Sequence, residues 1–174
     1  MRVSRVPRIG RGFTLIEMLV VVVIISILSG LVLAAVSSAR TRAKAMASKG
    51  TITGLEAALE RYESDFQDYP ASDADNTGIA GAENLYECLM TTQKSGPYIN
   101  KAGDFPTCDP GNKDKPKFAD AWNRPIRYFH HHDYGNKAPN KHSFRMISDG
   151  PNGEFEHGDA NSDDIVNWNK EKPE

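Results

Sequence analysis

Proline is missing from residues 8 to 69 of this 174-residue chain, between Pro7 and Pro70. Over that span nothing removes a backbone donor or forces a helix to break. Acid is missing from residues 1–12, which carry Arg2, Arg5, Arg8 and Arg11. Charge of either sign is missing from Met18 to Val36, 19 residues with only Ser26 and Ser29 as polar members. Catalytic signatures are missing too. There is no nucleophile elbow, zinc-hydrolase helix or phosphate loop, and no internal repeat.

The uncharged run is too long for a removable secretory core of about 7–15 residues. At about 1.5 Å per residue it spans roughly 28 Å, close to the hydrocarbon thickness of a bilayer. The four leader arginines belong on the cytoplasmic side by the positive-inside rule, and the rest of the chain outside. Glu17 heads this run. A carboxylate costs about 2.5–3.5 kcal/mol at the centre of a membrane helix, and less near the interface. A chain that keeps one there has a use for it.

The junction Gly12-Phe13-Thr14-Leu15-Ile16-Glu17, with a basic leader before it and an apolar run after it, resembles the class III signal peptide of type IV pilins and type II secretion pseudopilins. The resemblance implies cleavage after Gly12 by a membrane-bound prepilin peptidase, N-methylation of Phe13, and an assembly role for Glu17, the fifth residue after the cut. The implied parts are a leader (1–12), a transmembrane and assembly helix (13–36), an amphipathic continuation (37–70) and a globular domain (71–174).

Beyond the apolar run, Ile52, Leu55, Leu59, Tyr62 and Phe66 recur at three- and four-residue spacings. That is one apolar face of a helix. A helix from about Thr14 to Phe66 is predicted, weakened at Gly50 and Gly54 and ended by Asp68-Tyr69-Pro70. Ala71–Ala82 reads as a loop, Glu83–Thr92 as a short helix and Lys94–Lys117 as a long irregular connection. Ile126–His130 and Phe144–Ile147 read as strands joined through Asp133–His142, and Ile165–Trp168 as a short apolar closure. The fold class is α+β: a long amino-terminal helix on a small antiparallel sheet.

The chain carries a formal charge of −2. Removing the four leader arginines takes it to −6, which argues against nucleic acid as a partner. Cys88 and Cys108 are the only cysteines. Outside the cytoplasm they would bridge, and closing a loop of about 20 residues would contribute roughly 3 kcal/mol. His130-His131-His132-Asp133 invites a metal, supplemented by His142 and His157. Alternation along a strand argues against convergence of the three imidazoles, so a surface histidine run is the expectation.

Asp149, Asn152, Glu154, Glu156, Asp159, Asn161, Asp163 and Asp164 crowd a glycine-rich stretch. Such oxygen donors suit calcium, but the spacing does not fit an EF-hand, and a solvated acidic loop explains the composition equally well. Two segments extend the resemblance to the major pseudopilins of type II secretion. Asp120-Ala121-Trp122-Asn123-Arg124-Pro125-Ile126-Arg127-Tyr128 is similar to one of their segments. Ser148–Trp168 is similar to their calcium-binding terminal loop, with Asp164-Ile165 and Trp168 matching its end. This implies calcium, with Asn152, Asp159, Asp163 and Asp164 as the expected ligands. Ala34 stands where the family commonly has proline, which puts the associated helix kink in doubt.

The expectation is a non-enzymatic filament subunit held in the bacterial inner membrane. Its partners would be other copies in a helical filament, the prepilin peptidase and the secretion machinery. A type IV pilin for adhesion, motility or DNA uptake is the nearest rival, favoured by the cysteines. A membrane-anchored metal-binding domain using the histidines is the rival from another class.

Overall fold

The computed structural model describes residues 12–72, 76–99, 103, 105–108, 115–133 and 143–170. The leader arginines, most of the 133–142 connection, His142 and the Ala34 side chain lie outside the described residues. The chain forms two compact units, one ending at Arg40 and the other running from Thr41.

Helix α1 spans Leu15–Phe66, within a residue of the expected start and at the expected end. In the first unit it has no core to pack on. Every described side chain from Phe13 to Leu33 is exposed, and the helix is long and apolar enough to cross a membrane. Its end has a definite cause. Gln67 takes a left-handed conformation with φ 64°, and its N–H closes the last turn on the Glu63 carbonyl at 2.7 Å.

In the second unit the same helix supplies the core stripe. Ile52, Leu55 and Leu59 are fully buried, and Tyr62 and Phe66 pack at the stripe's edge. Each fully buried Ile or Leu contributes about 1.5–3 kcal/mol relative to exposure. Helix α2 (Ile79–Leu89) adds Leu85 and Leu89 to this core. It begins four residues before the expected start.

Among the described residues, two short antiparallel sheets accompany the helices. Strands β1 (Thr107–Cys108) and β2 (Lys117–Phe118) pair within the stretch expected to be irregular. Strands β3 (Arg127–His130), β4 (Phe144–Ser148) and β5 (Ile165–Val166) form the second sheet in that order. Ile126, Tyr128, Phe144 and Met146 face the helical stripe. The end of α1 is fastened to this sheet: the Tyr128 hydroxyl donates to the Pro70 carbonyl at 2.8 Å, and the His130 N–H donates to Ser72 Oγ at 2.7 Å.

The expected cysteine bridge is not formed. Cys88 and Cys108 are both thiols. Cys88 lies on α2, where its Sγ donates to Asn84 Oδ1 at 3.6 Å and neighbours the Tyr62 hydroxyl. Cys108 is buried on β1. Burial pushes the Cys88 thiol above its ordinary range, which disfavours the thiolate needed for oxidation.

Candidate functional sites

The first site is the amino terminus of α1. Glu17 Oε2 accepts from the Thr14 N–H and from the Thr14 hydroxyl, both at 2.8 Å, while the Glu17 N–H donates to Thr14 Oγ1 at 3.3 Å. This reciprocal pairing is a capping box, which satisfies donors that the helix cannot satisfy itself. Its signal, threonine three residues before glutamate, stands in the sequence within the junction motif. Gly12 and Phe13 lie just outside the helix and are exposed.

The second site is the loop between β4 and β5. Two arginines hold its root. Arg124 donates from Nη1 to the Gly150 carbonyl at 2.8 Å. Arg127 forms a two-pronged pair with Asp149, at 2.6 and 2.8 Å, and stacks over Phe155. Arg124 is placed by the turn before it. Asp120, buried, accepts the N–H groups of Trp122 and Arg124 at 2.8 and 2.9 Å on Oδ1 and the Ser148 hydroxyl at 2.8 Å on Oδ2. The segment singled out in the sequence is thus a carboxylate-capped turn that aims an arginine at the loop.

At the other end, β5 pairs with β4. Asn167 imitates a further strand residue, its Oδ1 accepting the Met146 N–H at 2.9 Å. Lys49 of α1 donates to the Val166 carbonyl at 2.6 Å. Gly150 and Gly158 have φ 59° and 71°, and a Cβ on them would strike the Asp163 carbonyl and the Trp168 ring respectively.

Within the loop, carboxylate oxygens of Glu156, Asp163 and Asp164 lie within 4.8 Å of one another. Asp164 is buried. Its Oδ2 accepts the N–H groups of Glu156 and Gly158 at 3.1 and 2.8 Å, while its Oδ1 has no hydrogen-bond partner among the described residues. Desolvation holds its carboxyl above the ordinary range. An orphaned buried oxygen beside two further carboxylates fits a hard cation taking oxygen ligands.

Of the four expected ligands, the structure brings Asp163 and Asp164 together. Asn152 borders them through its amide, Nδ2 donating to Glu156 Oε2 at 3.3 Å. Asp159 is exposed in the neighbouring turn and is not among the clustered carboxylates. Glu156 takes its place, brought in as its backbone N–H bonds to Asp164.

The histidines behave differently from expectation. The strand ends at His130, and His131–Asp133 form a 3-10 turn. Strand alternation therefore does not apply beyond His130, and ring nitrogens of His130, His131 and His132 lie within 4.8 Å of one another. His157 stands apart against Phe155.

Residues 8–33 match the family described as the prokaryotic N-terminal methylation motif. The chain is 32% identical over 163 residues to the type II secretion system core protein G of Escherichia coli (strain K12), covering 93% of each. It is 35% identical over 160 residues to the protein of the same name from Pseudomonas aeruginosa, covering 90% of this chain and 94% of the relative. This chain belongs to the type II secretion system core protein G family. The likeness runs through both units rather than the leader region alone. A core protein G from Klebsiella pneumoniae is 27% identical over 91% of this chain. No solved structure matches the chain. The apolar helix and the family together make it a membrane-anchored pseudopilin.

Proposed function

We propose that this chain is the major structural subunit of a type II secretion pseudopilus, cleaved after Gly12, methylated on Phe13, and drawn from the inner membrane into a helical filament with its second unit outside the cytoplasm. The observation that carries this reading is family membership over nine-tenths of the chain or more, joined to an exposed apolar helix headed by Glu17. Such a helix needs lipid before assembly and neighbouring helices after it. The work is mechanical and turns over no substrate. The cysteine pair, which favoured a type IV pilus, stands as thiols.

In this reading Glu156, Asp163 and Asp164 would hold a calcium ion, which would offset their mutual repulsion. Asn152 would orient Glu156 from its side. The chain's own arginines, Arg124 and Arg127, fix the loop's root so that the three carboxylates stay convergent.

Mass spectrometry of the membrane-extracted protein tests the processing. Phe13 is expected as the first residue, carrying one added methyl group. Deleting the gene should strand secreted enzymes in the periplasm. An intact Met1, or a start near Ala35, would overturn the reading.

A further inference from the structure

The three convergent histidines are used by neither the processing site nor the acidic loop. Their ring centroids lie 4.1 Å (His130–His131), 3.9 Å (His131–His132) and 4.9 Å (His130–His132) apart. Three imidazoles whose ring nitrogens converge within 4.8 Å of one another point to a shared ligand.

His130 is the fixed member. It is buried, and its backbone is tied to Ser72. Its Nε2 faces Asp68 Oδ1 at 3.2 Å, and its Nδ1 accepts a long hydrogen bond from the His132 N–H at 3.4 Å. With Asp68 accepting from Nε2, Nδ1 carries the lone pair, and a metal there would replace the long contact from the His132 N–H. Metal-bound histidines characteristically donate their second nitrogen to a carboxylate in this way. His131 is half-buried and His132 exposed, so the cluster opens to solvent on one side. That leaves room for entry and for water as a remaining ligand.

We propose that His130, His131 and His132 bind a divalent transition metal, zinc in the first instance, with Asp68 setting the His130 tautomer. An all-imidazole donor set suits zinc, copper or nickel and not calcium or magnesium, which take oxygen. The site is therefore chemically separate from the acidic loop, and it stands whether or not the filament reading does. Asp68 follows the last turn of α1 and His130 ends β3, so the hydrogen bond that orients the ligand also ties the helix end to the sheet.

The test uses the full-length chain in detergent, carrying a purification tag without histidine and saturated with calcium to occupy oxygen sites. Zinc chloride is titrated by calorimetry, and cobalt(II) is added in parallel as a visible-absorption probe. One zinc per chain is expected, with cobalt giving the bands of nitrogen ligation. The double variant His131→Gln/His132→Gln should lose zinc binding, and Asp68→Asn should weaken it about 10- to 100-fold. Both changes lie on exposed or half-buried side chains and leave the buried His130 in place. His157→Gln, outside the cluster, should change nothing. Absence of zinc binding, or binding indifferent to both the double variant and Asp68→Asn, would overturn the proposal. So would loss of binding in His157→Gln alone.

Discussion

Glu83 shows how much one surface-facing side chain can hold. Its carboxylate meets Lys117 Nζ at 2.8 Å and Lys115 Nζ at 3.0 Å, and Lys117 is buried. Hydrogen bonding from Lys117 first, then Lys115, holds the Glu83 carboxyl below its ordinary range. A depressed carboxylate adds stability above its unfolded pKa and loses it as pH falls through the lower, folded value. Glu83→Gln should therefore destabilise the fold by about 1–2 kcal/mol at pH 7, because a buried ammonium loses its charged partner. Urea unfolding of the variant should also show a shallower loss of stability below about pH 5 than the parent. Equal acid sensitivity in the two proteins would show that the pair is solvated. A residue-scale feature of this kind was not legible in the sequence. Lys115 and Lys117 sit in a stretch read as an irregular connection, and only the β1–β2 pairing brings them over α2. The capping box of Thr14 and Glu17 was legible in principle, since it needs only a three-residue spacing.

At the scale of the element, α1 was legible because 52 residues without proline and a sustained helical period outweigh two glycines. Those glycines are not alike. Gly50 has open space around it, whereas a Cβ on Gly54 would lie 2.6 Å from the Phe105 ring. Gly50→Ala should stabilise the fold by about 1 kcal/mol. Gly54→Ala should destabilise it by about 1–3 kcal/mol through overpacking. Thermal unfolding should move the two midpoints in opposite directions, and matching shifts would mean that Phe105 does not pack there. The two-residue strands β1, β2 and β5 were not legible as strands, since two residues carry no period. The histidine cluster is hidden from the sequence for a related reason: alternation stops where the strand stops, at His130, and the turn that follows brings the rings together. The acidic loop was legible in composition but not in pairing, because Glu156 reaches Asp163 and Asp164 only through the turn at Gly158. If that loop holds calcium, chelation should lower the unfolding midpoint of the full chain in detergent, magnesium should not restore it, and Glu156→Gln should abolish the difference. Calcium at about 100 times its Kd would contribute roughly 2.7 kcal/mol. An unfolding midpoint unmoved by chelation would return the stretch to a solvated loop.

On the scale of the whole molecule, the two units make opposite demands. The second is a closed core, and the first is an apolar helix with its described side chains exposed. Glu17 is the one acidic side chain in the sequence of the first, and within one chain its carboxylate is occupied by Thr14. In a filament the free amine of a mature Phe13 on a neighbouring copy would compete for it as a full charge rather than a dipole. Glu17→Ala should leave insertion and cleavage intact but reduce filament yield severely, as read by shearing and quantifying surface filaments beside the processed membrane pool. Normal filament yield would show that the carboxylate serves the helix cap alone. One bond in the second unit also sets a clock. Lys49 donates to the Val166 carbonyl across 117 positions of sequence, joining near the start of the unit to near its end. At about 5–20 residues per second of synthesis, the acceptor is made roughly 6–23 s after the donor. Throughout that interval the long helix has no closing strand, and from the moment β4 is made until Val166 follows, the edge that β5 will cover stays unpaired. The second unit thus cannot close before the chain's synthesis is nearly complete.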